Sequence, residues 1–282
     1  MRTETPRNIH IEKRMIEHDF SQNIPRFWAR GNPVISCFFN ALSSVIPRGE
    51  RFFISSVHEA AETVDDVTLQ NQVRGFIAQE SQHRVGHGAM NEWVAEQGYP
   101  IGRVEQGVER MLGCVERCLS RKYQLALTVA LEHFSSLLSD RFLREPDLQT
   151  SLHPTMQHFL IAHCIEEIEH KAVAFDVYQE VYGDYFARIL MMLFVTVIFA
   201  PNVFRIQFVY LWHDRQLFNV KAWFQAVRFF WFDPGWFAQT IPGYLSYYKP
   251  RFHPWQHDNS QLVARYIGQV NISRNGQGKQ AA

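Results

Sequence analysis

The feature that most constrains this chain is a pair of E-x-x-H motifs, Glu80-Ser81-Gln82-His83 and Glu167-Ile168-Glu169-His170, each in a segment with helical apolar spacing. Three residues make nearly one turn, so the carboxylate and imidazole of each motif share one helix face. Each motif also has a glutamate upstream: Glu50 lies thirty residues before Glu80, and Glu132 thirty-five before Glu167. That distance fits a helix, a turn and a return to the same depth. Glu132 follows the run Leu125-Ala126-Leu127-Thr128-Val129-Ala130-Leu131. A lone carboxylate buried there would cost several kcal/mol, so Glu132 either faces solvent or meets a cation.

The order Glu, E-x-x-H, Glu, E-x-x-H is the one in which di-iron and di-manganese carboxylate bundles bring their ligands inward. It predicts an all-α chain built on a ferritin-like four-helix bundle, with Glu50, Glu80, His83, Glu132, Glu167 and His170 converging on two metal ions. His163 falls four residues before Glu167 and seven before His170. All three lie within roughly 60° on the helical wheel, and His163 reads as a further ligand. His87, one turn after His83, is an additional ligand, a supporting group, a proton shuttle or a packed histidine. Glu166, Glu169 and His133 each point about 100° away from the candidate they adjoin, Glu167, His170 and Glu132, which places them at the surface or behind the candidate ligands. Gly86 and Gly88 would permit close helix approach or access of substrate.

Helical spacing extends over nearly the whole chain, with sparse Gly and Pro between segments. Residues 1–33 read as an N-terminal arm, 34–183 as the di-metal bundle, 184–272 as a helical C-terminal cap and 273–282 as a disordered polar tail. Within the bundle, a short helix over 37–45 is expected to halt at Pro47 and Gly49, with a new one from about Glu50 to Glu62. A second follows the N-cap candidates Asp65-Asp66 and ends at Gln97-Gly98. A third region spans about 104–144 with a kink at 118–122, and a fourth spans about 152–181. The cap is rich in aromatic residues, including Trp212, Trp223, Trp231 and Trp236. Its His253 and His257 read as part of a packed turn, because Pro254 breaks the helical register.

With 282 residues, 46% of them apolar, the chain can bury one sizeable core. Lys+Arg and Asp+Glu balance at 28 each, without the basic stripe of a nucleic-acid binder, so a small molecule is the expected partner. Four cysteines make no disulfide framework and the N-terminus lacks the apolar core of a signal peptide, which points to the cytoplasm. Cys114 and Cys118, one turn apart, read as small buried residues rather than a metal half-site. The apolar stretch 189–200 ends at Pro201 and falls short of the roughly 20 residues a spanning helix needs, so a buried helix is expected. Peripheral membrane contact through 189–212 is the alternative, since Phe204, Phe208, Tyr210 and Trp212 continue the apolar surface. Homodimerisation stays open.

Several runs resemble the bacterial family described as predicted metal-dependent hydrolases: Gly49-Glu50-Arg51-Phe52-Phe53, Gln79-Glu80 with His83, Ala130-Leu131-Glu132-His133, Glu166-Glu167-Ile168-Glu169-His170-Lys171, and Phe252-His253-Pro254-Trp255. The resemblance covers roughly residues 30 to 260 and implies a metal-dependent enzyme. The H-x-x-x-E-x-x-H spacing of His163, Glu167 and His170 is also similar to that of p-aminobenzoate N-oxygenases, where a third histidine joins a di-iron core. That likeness is confined to ligand spacing and implies the seven-residue ligand set with dioxygen chemistry.

Iron is the expected metal, with manganese or zinc as alternatives. Carboxylate-rich ligation stabilises ferric iron, so oxidation or oxygenation of a lipophilic or aromatic small molecule ranks first among the functions. Hydrolysis by a metal-activated water is the alternative, followed by metal storage or oxidative protection. The sequence has no flavin, haem or nicotinamide fingerprint, so an oxygenase would need a separate electron donor.

Overall fold

The computed structural model describes residues 5–6, 9–14 and 19–270; the expected disordered tail, 273–282, lies outside them. Every regular element among the described residues is helical. In chain order these are α1 (Pro33–Ala61), α2 (Val67–Glu96), α3 (Ile101–Cys118), α4 (Arg121–Leu143), α5 (Pro146–Thr150), α6 (Pro154–His170) and α7 (Val173–Val181). There follow α8 (Tyr185–Phe194), α9 (Ala200–His213), α10 (Val220–Val227), α11 (Ile241–Ser246) and α12 (Ser260–Tyr266). Helices α1 and α2, joined by five residues, pack along each other; α4 packs on α6, α1 on α4, and α2 on α6. The four thus enclose a common interior, and α7 continues against α1, α2 and α4.

Local chemistry explains the helix ends. Asn32 accepts hydrogen bonds from the N–H groups of Val34 and Ile35 at 2.9 and 3.1 Å, and Pro33 presets the first turn of α1. Asp66 caps α2 through Thr68 and Leu69. Between α3 and α4 the expected kink is a full break with Leu119 extended, and Gln124 Nε2 donates to the carbonyls of Glu116 and Leu119 left over by α3. The expected fourth helix is interrupted at 171–172, directly after His170, where Lys171 turns out to the carbonyl of His257 and the side chain of Asn259.

Three expectations are corrected. First, α1 does not stop at Pro47. Proline leaves the Ser43 carbonyl without its helical N–H, and Asn91 Nδ2 of α2 donates to that carbonyl at 3.3 Å. Glu50 therefore sits inside a 29-residue helix rather than at a helix start. Second, Cys114 and Cys118 are exposed, not buried, with their sulfurs 3.7 Å apart.

Third, the 189–200 stretch is neither short nor buried. Through one π-helical turn (Val195–Phe199) the helix runs on past Pro201, giving a continuous 29-residue helix, Tyr185–His213, whose most apolar window is only 33% buried. In that turn the N–H of Ala200 reaches back to the carbonyl of Val195, the wider spacing that often accommodates a proline inside a helix. By length and composition this helix could cross a membrane.

The C-terminal helices pack on three of the four: α9 and α10 on α1, α8 and α11 on α4, and α12 on α6. The 253–259 segment is the packed turn expected. His253 bonds Asp176 at 3.0 Å, and Asp140 accepts from His257, Asn259 and Arg144 at 3.3, 3.0 and 2.8 Å. Burial alone would raise the Asp140 carboxyl, but these bonds more than offset it and hold it well below the ordinary aspartate range.

Asp140→Ala is expected to lose about 2 kcal/mol of stability near neutral pH, because hydrogen bonds to a charged group are removed and the turn's donors are orphaned. A depressed folded pKa stabilises fully above the unfolded value, so the deficit should shrink as pH falls below about 4. Urea denaturation of both proteins across pH checks this.

Candidate metal centre

All seven sequence-predicted ligands meet in the interior of α1, α2, α4 and α6. Glu50 comes from α1, Glu80 and His83 from α2, Glu132 from α4, and His163, Glu167 and His170 from α6. All are buried, Glu132 included, which removes the solvent-facing alternative for it. The donor atoms fall into two groups that could each hold a metal ion. Glu50, His83, His163 and Glu167 form one, Glu80, Glu132 and His170 the other, and within each the donor atoms lie within 4.8 Å of one another.

The imidazole orientations fit that use. Nδ1 of His170 lies 3.0 Å from Gln79 Oε1, which can only accept, so that nitrogen carries the proton. The Gln79 amide is itself fixed, since its Nε2 donates to Glu169 at 2.8 Å and to the Glu12 carbonyl at 3.1 Å. The bare Nε2 of His170 then faces Glu80 at 3.0 Å, Glu132 at 3.4 Å and Glu167 at 3.6 Å. His83 repeats the arrangement: its Nε2 bonds Glu166 at 3.0 Å, and Nδ1 faces Glu167 at 3.3 Å and Glu50 at 3.6 Å.

Lone pairs opposed to carboxylate oxygens repel unless a cation lies between them. Both oxygens of Glu80 and of Glu132, with His83 Nδ1 and His170 Nε2, lack any hydrogen bond of good geometry. His170 Nε2 and Glu80 Oε1 are close, but misdirected for one. A proton or a metal ion must fill the gap, and this donor set of glutamates and imidazoles suits a metal ion.

The electrostatics carry the same strain. Burial, then the charge of Glu80, raises Glu50 well above the carboxylate range, and the same two causes push Glu132 up to about 8. Burial also raises Glu80, against the pull of His170. Burial would lower His83 and His170, but Glu166 and Glu167 for the first, and Glu167 with Glu132 for the second, more than offset it and hold both imidazoles well above their usual value. Glu167 is held well below its usual value, despite burial, chiefly by His170.

Glu166 and Glu169 do stand behind the ligands, and both are fully buried rather than at the surface. Arg14 bridges them and offsets one of their two charges, reaching Glu169 through two bonds of 2.7 and 2.6 Å and Glu166 at 3.3 Å. Sequence reasoning missed Arg14, in the arm, and the orienting role of Gln79. The available signal was that two further glutamates inside a ligand helix need a cation of their own. Gly75 of α2 lets the arm approach, since a methyl there would overlap the Ile11 carbonyl.

His133 stands apart from the cluster: it bonds the Gly243 carbonyl at 3.2 Å, and burial lowers its pKa to about 4. His87 belongs to neither donor group; its ring lies 4.8 Å from that of His163, and its Nδ1 lies 2.9 Å from Ser43 Oγ.

Two cavities reach the cluster. A small one of about 110 Å³ is lined by Gly86, His83, His163 and Glu166, in line with the expectation of access near Gly86. The larger, of about 410 Å³, is walled mainly by apolar side chains of α1, α4 and the cap, and touches Glu50, His163 and Glu167 at its inner end.

The sequence pattern of one family, described as predicted metal-dependent hydrolase, matches residues 12–258. The chain belongs to that family. The matched region begins before Arg14 and ends after His257, so it takes in the arm from residue 12, the whole donor cluster and nearly all of the packed turn. No curated protein and no solved structure matches the chain.

Gln79→Leu removes the acceptor that fixes His170 and is expected to weaken metal binding about 10–100-fold while the helices stay folded. Competition with a chromophoric chelator, beside a far-ultraviolet circular dichroism spectrum, measures both.

Proposed function

We propose that this family member is a di-metal carboxylate enzyme on a ferritin-like four-helix bundle, using dioxygen to oxidise or oxygenate a lipophilic small molecule. In this reading Glu50, His83, His163 and Glu167 hold one ion, and Glu80, Glu132 and His170 the other. Two divalent ions would bring six buried glutamates and one arginine close to neutrality. A pair of iron ions, with electrons from a separate donor, supplies reductive activation of dioxygen when bound; manganese or zinc are the alternative occupants.

The observation that carries this reading is the 410 Å³ cavity that meets the donor cluster at Glu50, His163 and Glu167. Its apolar wall, with Phe39, Leu42, Phe53, Met90, Leu131 and Phe134 among the lining residues, would bind a substrate without polar groups along most of its length and exclude bulk water. A storage protein has no need of such a chamber. At its edge Ser43 Oγ donates to Asn91, so it accepts from Nδ1 of His87 and leaves Nε2 as the basic nitrogen of that ring. His87 also lines the cavity and can hold or pass a proton there.

The family's description favours a second reading, hydrolysis by a metal-activated water. The two readings separate cleanly. Protein purified anaerobically, reduced and exposed to dioxygen is expected to give a transient visible absorbance and, with a lipophilic substrate, an oxygenated product. Turnover of esters by the zinc-loaded protein, without a reductant, would establish hydrolysis instead. Metal analysis should find about two ions per chain in the wild type and about one in Glu132→Ala, in keeping with the two donor groups; a variant that kept both would sink the ligand assignment.

A further inference from the structure

The cap turns a broad apolar face outward. On Tyr185–His213 the exposed residues Phe186, Leu190, Leu193, Val197, Phe204 and Phe208 recur at intervals of three, four or seven and form one stripe along the helix. Phe208 stacks on Trp223 at 5.6 Å, which joins the stripe to α10 and the turns on either side of it. There Phe218, Phe224 and Phe232 are 81%, 71% and 76% exposed. Exposed apolar residues scattered singly are ordinary, but a continuous face of this extent marks a contact surface.

The opposite side of the same helix is fixed to the protein by polar bonds. Arg188 donates to the carbonyls of Tyr247 and Lys249, Gln207 Nε2 donates to the Val34 carbonyl at 2.8 Å, and the Tyr210 hydroxyl meets Ser44 at 2.7 Å. A spanning helix surrounded by lipid would have to break these bonds. The geometry is that of a helix lying in an interface.

Charge identifies the occupant. Residues 185–251 carry seven Lys or Arg and two Asp, a net charge of +5, which leaves −5 for the rest of this neutral chain. Six of the seven are exposed, and the exposed acid, Asp233, is paired with Arg228 at 2.6 Å. Arg205 is four residues from Val209, Lys221 three from Phe224, and Arg228 four from Phe232, so the cations fringe the apolar stripe. A second copy in a symmetric pair would set this fringe against itself; anionic headgroups would complement it.

The larger cavity opens on the same face, because Phe204, Trp231 and Ile241 both line it and stand exposed. We propose that the cap docks in the plane of an anionic bilayer through this face, and that the cavity admits a single acyl chain from the bilayer to the Glu50, His163 and Glu167 end of the donor cluster. The docking stands on the cap alone, whereas the assignment of an acyl substrate rests on the reading of the cluster as a metal centre.

The full-length protein should sediment with vesicles of equal parts phosphatidylcholine and phosphatidylglycerol, about tenfold more tightly than with phosphatidylcholine alone, and salt should weaken the binding. A Phe218→Ser, Phe224→Ser, Phe232→Ser variant should lose about tenfold or more in affinity while melting as the wild type does, since these side chains protrude. Wild type that stays in the supernatant with both vesicle types overturns docking. So does a wild-type dimer that the triple variant converts to monomer. Palmitate should bind the wild type, and Leu42→Trp or Val45→Trp, which fill the cavity, should abolish that binding without changing vesicle affinity; palmitate binding unaffected by both overturns the route. Metal content of the same samples reports separately on the proposed centre.

Discussion

Six glutamates, Glu50, Glu80, Glu132, Glu166, Glu167 and Glu169, are buried together between four helices, and Arg14 is the arginine that pairs with Glu166 and Glu169. Two unit charges about 4 Å apart repel by roughly 4 kcal/mol at an effective dielectric near 20, and several such pairs would exceed the net stability of an ordinary domain. The interior is therefore only tenable with cations in it. Protons are the minimum solution, which is what the raised Glu50, Glu80 and Glu132 and the raised His83 and His170 express. Divalent metal ions would satisfy the same demand with two charges at one point shared among several donors, and the outward-bonded imidazoles leave the right nitrogens bare for them.

Two layers divide the work. The inner donors come from four helices and would move apart if any helix shifted. The outer layer locks them: Arg14 holds Glu166 and Glu169, Glu166 holds His83, and Glu169 holds Gln79, which holds His170. The N-terminal arm, which has no helix or strand among its described residues, is thus tied through one guanidinium to both imidazoles of the E-x-x-H motifs. The close approach of the arm at Gly75 is the steric condition for that tie.

The inner layer is legible in the sequence because helical periodicity converts spacing into direction, which places Glu50, Glu80, His83, Glu132, His163, Glu167 and His170 on inward faces. Long-range partners have no such rule. Nothing local says that Arg14 meets Glu169 or that Asn91 takes the carbonyl freed by Pro47, and the second of these made a continuous α1 look like two helices. Apolar character misled in the other direction. Cys114 and Cys118, and the 189–200 stretch, were expected inside because apolar groups usually are; hydrophobicity states what avoids water and leaves open whether protein or another apolar phase receives it.

That ambiguity has a structural consequence at the cavity. Its walls are shared: α1 and α4 supply both the candidate ligands Glu50 and Glu132 and part of the lining, while the cap supplies the outer rim. Because α9 and α10 rest on α1 and α8 on α4, a shift of the cap changes the width of the cavity without touching the donor atoms directly. The π-helical turn at Val195–Phe199 lies on this rim, with Val195 and Phe199 both lining the cavity. A turn with one extra residue against a proline is a natural place for the long helix to bend. The arrangement separates two requirements that conflict in one pocket: a donor cluster fixed by buried charge and hydrogen bonds, and a chamber with a mainly apolar lining, roofed by a cap that Gln207 and Tyr210 pin to Val34 and Ser44 of α1.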